Sequence, residues 1–215
     1  MKKFLNSLLD LIYRKKCYFC GKSKLSLKMC PNCFKKLEFC DFEANRIVDG
    51  IDIFCAGIYT KELQKLIRGL KYHNQKDLAY YQAKFMYDYF QNIKTLQNSD
   101  FEIIAVPLHP KRIRKRKYNH MELVCKEFSK LSGFNYNFNL ITRIKDTKPQ
   151  YKLNKKQRAE NLNHAFRVKK EAFNNKKILI IDDICTTGST FEEMIKELKQ
   201  AEINDIVCFA TATPV

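Results

Sequence analysis

Residues Ile178 to Thr190 read ILIIDDICTTGST: four large apolar residues, two adjacent carboxylates, then small hydroxyl residues around a single glycine. An unbroken apolar run of that kind suits a strand buried on both faces, as in a parallel sheet covered by helices. In open parallel sheets ligands bind outside the carboxyl ends of the strands, where the chain turns into the next helix. Asp182 and Asp183 therefore stand at a ligand-binding edge. Beyond them, Thr186, Thr187, Gly188, Ser189 and Thr190 can turn backbone N–H groups onto an anion at the start of a helix near Ser189. Gly188 allows a positive dihedral or a close approach, and the hydroxyls add donors. Carboxylates beside such a cradle would repel its anion unless they face something else, and the vicinal hydroxyls of a ribose seek acceptors. Cradle and carboxylates together describe a phosphorylated sugar. The alternative is that Asp182 and Asp183 merely cap a helix near the strand end. Neither G-x-x-x-x-G-K-[ST] nor G-x-G-x-x-G occurs, which removes the two usual nucleotide cradles.

The rest of the chain extends this pattern. Strand-like segments at 51–60, 101–107, 137–144, 177–182 and 205–212 alternate with helical patterns marked by Leu63, Leu66, Ile67 and Leu70, by 70–90, by Leu123, Val124, Phe128 and Leu131, and by 189–200. The expected fold is α/β, one parallel-sheet domain over 46–215, with a small segment at 1–45 in front of it.

That segment carries Cys17, Cys20, Cys30 and Cys33 in the spacing C-x2-C-x9-C-x2-C, with Gly21 and Pro31 as turn formers. Four thiolates on two short knuckles suit a structural Zn²⁺, which takes four sulfurs without needing a water. The ion would organise a stretch too short to hold itself by apolar burial. Nine cysteines, an odd number, point to a reduced, cytoplasmic chain without disulfide staples. Residues 3–14 form an apolar stripe flanked by cations, which suits a helix packed on its own domain or a basic amphipathic segment on the inner face of the cytoplasmic membrane. No apolar run is long enough to span a bilayer.

A formal net charge of +17 selects polyanionic partners. The densest cluster is the run Lys111, Arg112, Arg114, Lys115, Arg116, Lys117, followed directly by Tyr118. It reads either as a solvated loop or as a path for single-stranded DNA. Tyr72 and Tyr151 sit in other basic stretches, and rings interleaved with cations suit bases that stack and phosphates that need neutralising.

These residues resemble a known family. The Asp-Asp and Thr-Thr-Gly-Ser-Thr sequence resembles the phosphoribosyl pyrophosphate (PRPP) motif of type I phosphoribosyltransferases. AVPLHPKRIRKRKYNHMEL, TRIKDTKPQYKLNKKQRAENLNHAF, LIRGLKYHNQKDLA and the leading four-cysteine knuckles are similar to the matching parts of ComF-type competence proteins. The resemblance implies that Asp182 and Asp183 take the ribose hydroxyls and that Thr186 to Thr190 take the 5′-phosphate. It implies that Pro107, Leu108 and His109 meet the pyrophosphate, with Mg²⁺ bridging pyrophosphate and ribose. Lys148, Gln150, Arg158 and Asn161 fall in a segment that acts as a hood in this fold. No catalytic residue is assigned. The chain departs from its relatives where Lys117 replaces a glycine and His120 a glutamine; a histidine in a basic loop is expected to be solvated. His73, His109 and His164 show no metal-ligand spacing and are read as neutral polar residues.

The function expected is single-stranded DNA binding in natural transformation, alongside competence machinery proteins, with PRPP or a related ribose phosphate as ligand. The alternative is an active phosphoribosyltransferase working on a nucleobase or related acceptor.

Overall fold

The computed structural model describes residues 16–22, 27–44, 46–147, 157 and 161–214. Eight strands are described: β1 (Arg46–Val48), β2 (Ile51–Ile58), β3 (Phe101–Ala105), β4 (Asn135–Tyr136), β5 (Ile141–Arg143), β6 (Phe166–Val168), β7 (Lys177–Ile184) and β8 (Ile206–Thr213). The α-helices described are α1 (Pro31–Phe34), which precedes β1, then α2 (Lys61–Tyr72), α3 (Leu78–Phe90), α4 (Pro110–Arg116), α5 (His120–Ser132) and α6 (Ser189–Gln200).

The main sheet has the order β1-β2-β8-β7-β3-β4, and every pairing is parallel except that of the edge hairpin β1–β2. The stretch expected to be the ligand-bearing strand lies inside this sheet, with β3 on one side and β8 on the other. Its side chains alternate. Leu179 and Ile181 join the apolar cluster of α2, α3 and α5, whereas Ile178 and Ile180 join Phe191, Met194 and Ile195 of α6. Both faces are thus buried, which is why the segment reads as continuous apolar sequence.

Two expectations are corrected. The segment 137–144 does not add a strand to the main sheet, because β5 pairs antiparallel with β6 in a separate two-stranded sheet. The basic run is not a loop: Pro110 sits at the first helical position, His109 caps it by accepting from the Lys111 N–H at 3.3 Å, and residues 110–116 wind into α4. Lys117 ends that helix at φ 67°, the left-handed corner that a glycine adopts most readily. Two residues later Asn119 starts α5 by accepting from the Met121 N–H at 3.1 Å. This tight corner sets where His120 points.

The cysteine knuckles are not a detached appendage. Cys17, Met29, Cys30, Cys33 and Leu37 belong to the same buried cluster as Leu63 and Leu66 of α2. The amphipathic stripe at 3–14 lies outside the described residues.

Candidate functional site

β7 continues two residues past Asp182, because β8 goes on pairing with it from Ala210 to Ala212. Both carboxylates therefore sit on extended backbone and point to opposite faces of the sheet. Their surroundings differ accordingly.

Asp183 faces α2 and α5 and is 6% exposed. Its Oδ2 accepts from Lys71 Nζ at 2.5 Å and from His120 Nε2 at 2.7 Å. Arg116 Nη1 lies 2.8 Å from the other imidazole nitrogen of His120, and a guanidinium can only donate. Nδ1 is therefore the acceptor and the proton sits on Nε2, aimed at Asp183. Burial pushes His120 down to about 4 against the pull of Asp183, so the imidazole is neutral at pH 7. Burial opposes the charge of Asp183, but Lys71 and the hydrogen bond from His120 outweigh it and hold the carboxyl well below the usual range. Lys71 stays charged for the reciprocal reason: burial works against it, and the carboxylate beside it raises its pKa.

Asp182 faces the other side, half-buried, and lines a small concavity with residues 184–191. Burial and the neighbouring Asp183 charge push it up to about 8. Its Oδ1 accepts from the Asp183 backbone N–H at 2.8 Å. The rest of the concavity is lined by the loop read from sequence as an anion cradle. Gly188, at φ 83°, turns the chain into α6, a conformation that costs a side chain dearly. The Thr187 and Ser189 hydroxyls lie 2.9 Å apart at its mouth. Arg46, reaching over from β1, donates Nη1 to the Thr186 carbonyl at 3.0 Å. A cation thereby stands beside that loop.

Pro107, Leu108 and His109 leave the carboxyl end of β3, next to β7 in the sheet, and the Val106 N–H donates to the Ile181 carbonyl at 3.0 Å. The expected pyrophosphate turn and the expected ribose carboxylates thus share one edge. Of the hood residues, Asn161 is described, while Lys148, Gln150 and Arg158 lie outside the described residues, as does Tyr151. The base of that segment is anchored: Arg143 donates to the Thr147 hydroxyl, and Arg112 donates to the Thr147 carbonyl at 2.6 Å.

The basic run divides by direction. Lys111, Arg114, Lys115 and Lys117 are exposed, Lys111 pairing with Asp146 at 3.0 Å. Arg112 and Arg116 turn inward onto Thr147 and His120. Tyr118 is half-buried, its hydroxyl donating to the Leu70 carbonyl at 2.5 Å.

Cys17, Cys20, Cys30 and Cys33 place all four sulfurs within 4.8 Å of one another, with Cys20 Sγ and Cys30 Sγ 3.9 Å apart. Four sulfurs about 2.3 Å from a common centre lie about 3.8 Å apart in a tetrahedron, so the cluster fits a metal ion. Burial resists ionisation of Cys17, yet the backbone N–H groups of Cys20, Cys30 and Phe19 bring its thiol down to about 6. Elsewhere His164, expected to stand apart, meets Glu193 and Glu197 within the same limit.

Three functional candidates were missed from sequence alone: Lys71, Arg46 and the buried role of His120. Lys71 is the last cation of an amphipathic helix, Arg46 lies far from the loop in the chain, and His120 is surrounded by cations. None of these positions differs in composition from an ordinary surface.

A family model described as the phosphoribosyl transferase domain matches residues 133–215. Competence protein F of Haemophilus influenzae is 28% identical over 204 residues, covering 91% of this chain and 89% of that protein. DNA utilization protein YhgH of Salmonella typhimurium is 30% identical over 143 residues, 65% of this chain and 62% of that one. Competence protein ComFC of Streptococcus pneumoniae is 26% identical over 188 residues, with 84% and 79% covered. With a four-cysteine cluster packed against a parallel sheet of this type, the chain has a phosphoribosyltransferase fold and is similar over most of its length to competence proteins F and ComFC.

Proposed function

We propose that this chain handles single-stranded DNA in natural transformation and binds Mg²⁺-PRPP, or a related ribose phosphate, at the carboxyl end of β7. One observation carries the ligand reading: a left-handed Gly188 turns the chain into α6 beside Asp182, with Arg46 at 3.0 Å from the loop backbone. In this reading the N–H groups and hydroxyls of residues 186–190 take the 5′-phosphate. Asp182 accepts the ribose hydroxyls, while Asp183, which the resemblance also assigned to them, faces the other side of the sheet and holds the strand end through Lys71 and His120. The pyrophosphate lies toward Pro107, Leu108 and His109, with Mg²⁺ neutralising it there.

The DNA reading is supported by relatives named for competence and for DNA utilization, and by the charge of +17. Competence machinery proteins would be its partners in the cytoplasm, with peripheral contact to the membrane through residues 3–14. Among the described residues no helix is long and apolar enough to cross a membrane.

Transfer to a base is the competing reading, since the fold alone does not decide chemistry. Incubation with PRPP and Mg²⁺ separates the two: binding without pyrophosphate release, with or without nucleobases, is expected, and base-dependent release would establish a transferase instead.

The four cysteines hold a structural zinc in this proposal. Elemental analysis should find one ion per chain, and its removal should unfold the knuckle segment before the sheet. A metal-free protein that stays fully folded would refute that role.

A further inference from the structure

Along α2, α4 and α5 and the segments beside them, cations and rings are paired repeatedly. Arg68 and Arg116 lie 6.0 and 5.6 Å from the ring centre of Tyr72. Lys76 lies 4.9 Å from that of Tyr118. Lys126 lies 6.0 and 5.9 Å from Tyr136 and Phe138, which stack on each other at 4.7 Å with 21° between their planes.

A groove of about 400 Å³ runs between α3 and α5, lined by Lys76, Ala79, Leu123, Lys126, Lys130 and Tyr136. Its one acid, Glu127, is already paired with Lys130 at 2.6 Å. Lys76 belongs to both features, since it lines the groove and covers Tyr118. Tyr136 stands on β4, the edge strand of the sheet, and is 45% exposed.

The chemistry of such a groove selects its occupant. Lysines would serve any polyanion, but the exposed ring of Tyr136 favours a ligand that brings flat faces of its own. A duplex keeps its base faces stacked inside, and an acidic peptide has few to offer. A single strand presents one base per phosphate, in the same alternation as the rings and cations here. The basic helix α4 is the weaker candidate, because two of its cations are turned inward and Tyr118 is tied to the Leu70 carbonyl.

The geometry points to the α3–α5 groove, from Lys76 to Lys126 and Tyr136, as the seat of a single-stranded nucleic acid, with a base on Tyr136 and phosphates on the lysines. This rests on the single-strand reading above and places its path off α4.

Fluorescence anisotropy with a labelled oligo(dT), titrated at several salt concentrations, tests it on the full chain. Tyr136→Ala should weaken binding about five- to 150-fold, the equivalent of about 1–3 kcal/mol of stacking, while leaving the salt slope alone. Tyr136→Phe, which keeps the ring, should bind like the parent. Lys76→Ala with Lys126→Ala should flatten the log–log salt slope by about 1.4, at about 0.7 per phosphate contact. Both lysines are exposed, so this variant reads binding and not folding. Unchanged binding in the groove variants, together with a loss in Arg114→Ala/Lys115→Ala/Lys117→Ala, would overturn the groove and leave the single-strand reading standing. A parent protein with no preference for oligo(dT) over a duplex would overturn that reading itself, and the groove with it.

Discussion

Asp182 and Asp183 are neighbours in the chain and yet belong to different environments. Asp183 is enclosed by a lysine, a neutral imidazole and, behind that, a guanidinium; Asp182 opens onto a loop of small residues and carries a pKa raised to about 8. One is a charge locked into the fold by its partners, and the other is a carboxyl left open to the concavity where we propose that the ligand sits. The contrast shows how a strand edge separates holding from binding: the pleat sends consecutive side chains to opposite faces, so one acid can be anchored in the core while the next meets the ligand.

The largest expected effect breaks the locked side. Asp183→Ala leaves the half-buried Lys71 and the buried His120 without their acceptor and should cost about 3 kcal/mol of stability in denaturant unfolding. Asp182→Ala removes a carboxyl that burial and a like charge already disfavour, and should change stability by about 1 kcal/mol or less, in either direction. Equal losses in the two variants would erase the distinction.

Acid sharpens the same contrast. His120 titrates near 4 when folded, against about 6.5 for an imidazole in the unfolded chain. Between those values the unfolded state binds a proton that the folded state refuses, so stability falls as pH drops through that window. Over it the parent should lose roughly 3 kcal/mol more than His120→Gln, which cannot titrate. Parallel stability curves for the two proteins would show that the imidazole is not held neutral.

A smaller effect probes the cradle. A Cβ at Gly188 would meet its nearest atoms at 3.6 and 3.7 Å, ordinary contact distances, so space is not the obstacle. The positive φ is, and Gly188→Ala should cost about 1–2 kcal/mol on thermal unfolding. A cost near zero would mean that the loop adopts another backbone.

Much of this arrangement was legible in the sequence, because its determinants are local. The apolar run of β7, the glycine of the cradle and the two knuckles each declare themselves within a dozen residues. The packing partners do not. Lys71, Arg46 and His120 reach the site from α2, β1 and α5, and their sequence neighbours read as charged surface. The departure at 120 marked a difference from the relatives but gave no direction to the side chain; the left-handed Lys117 and the Asn119 cap supply it. The path of α4 was misread for a related reason, since six cations in seven residues mask a helix start that only Pro110 and the His109 cap betray.

Isothermal titration of Mg²⁺-PRPP into the parent and into Asp182→Ala, at a pH where both are equally folded, addresses the proposed ligand site most directly. The parent should bind one equivalent, and the variant should lose about fivefold in affinity, the magnitude of one hydrogen bond of about 1 kcal/mol, with its melting temperature kept. Equal affinity in the two proteins would contradict a ribose phosphate seated at the end of β7.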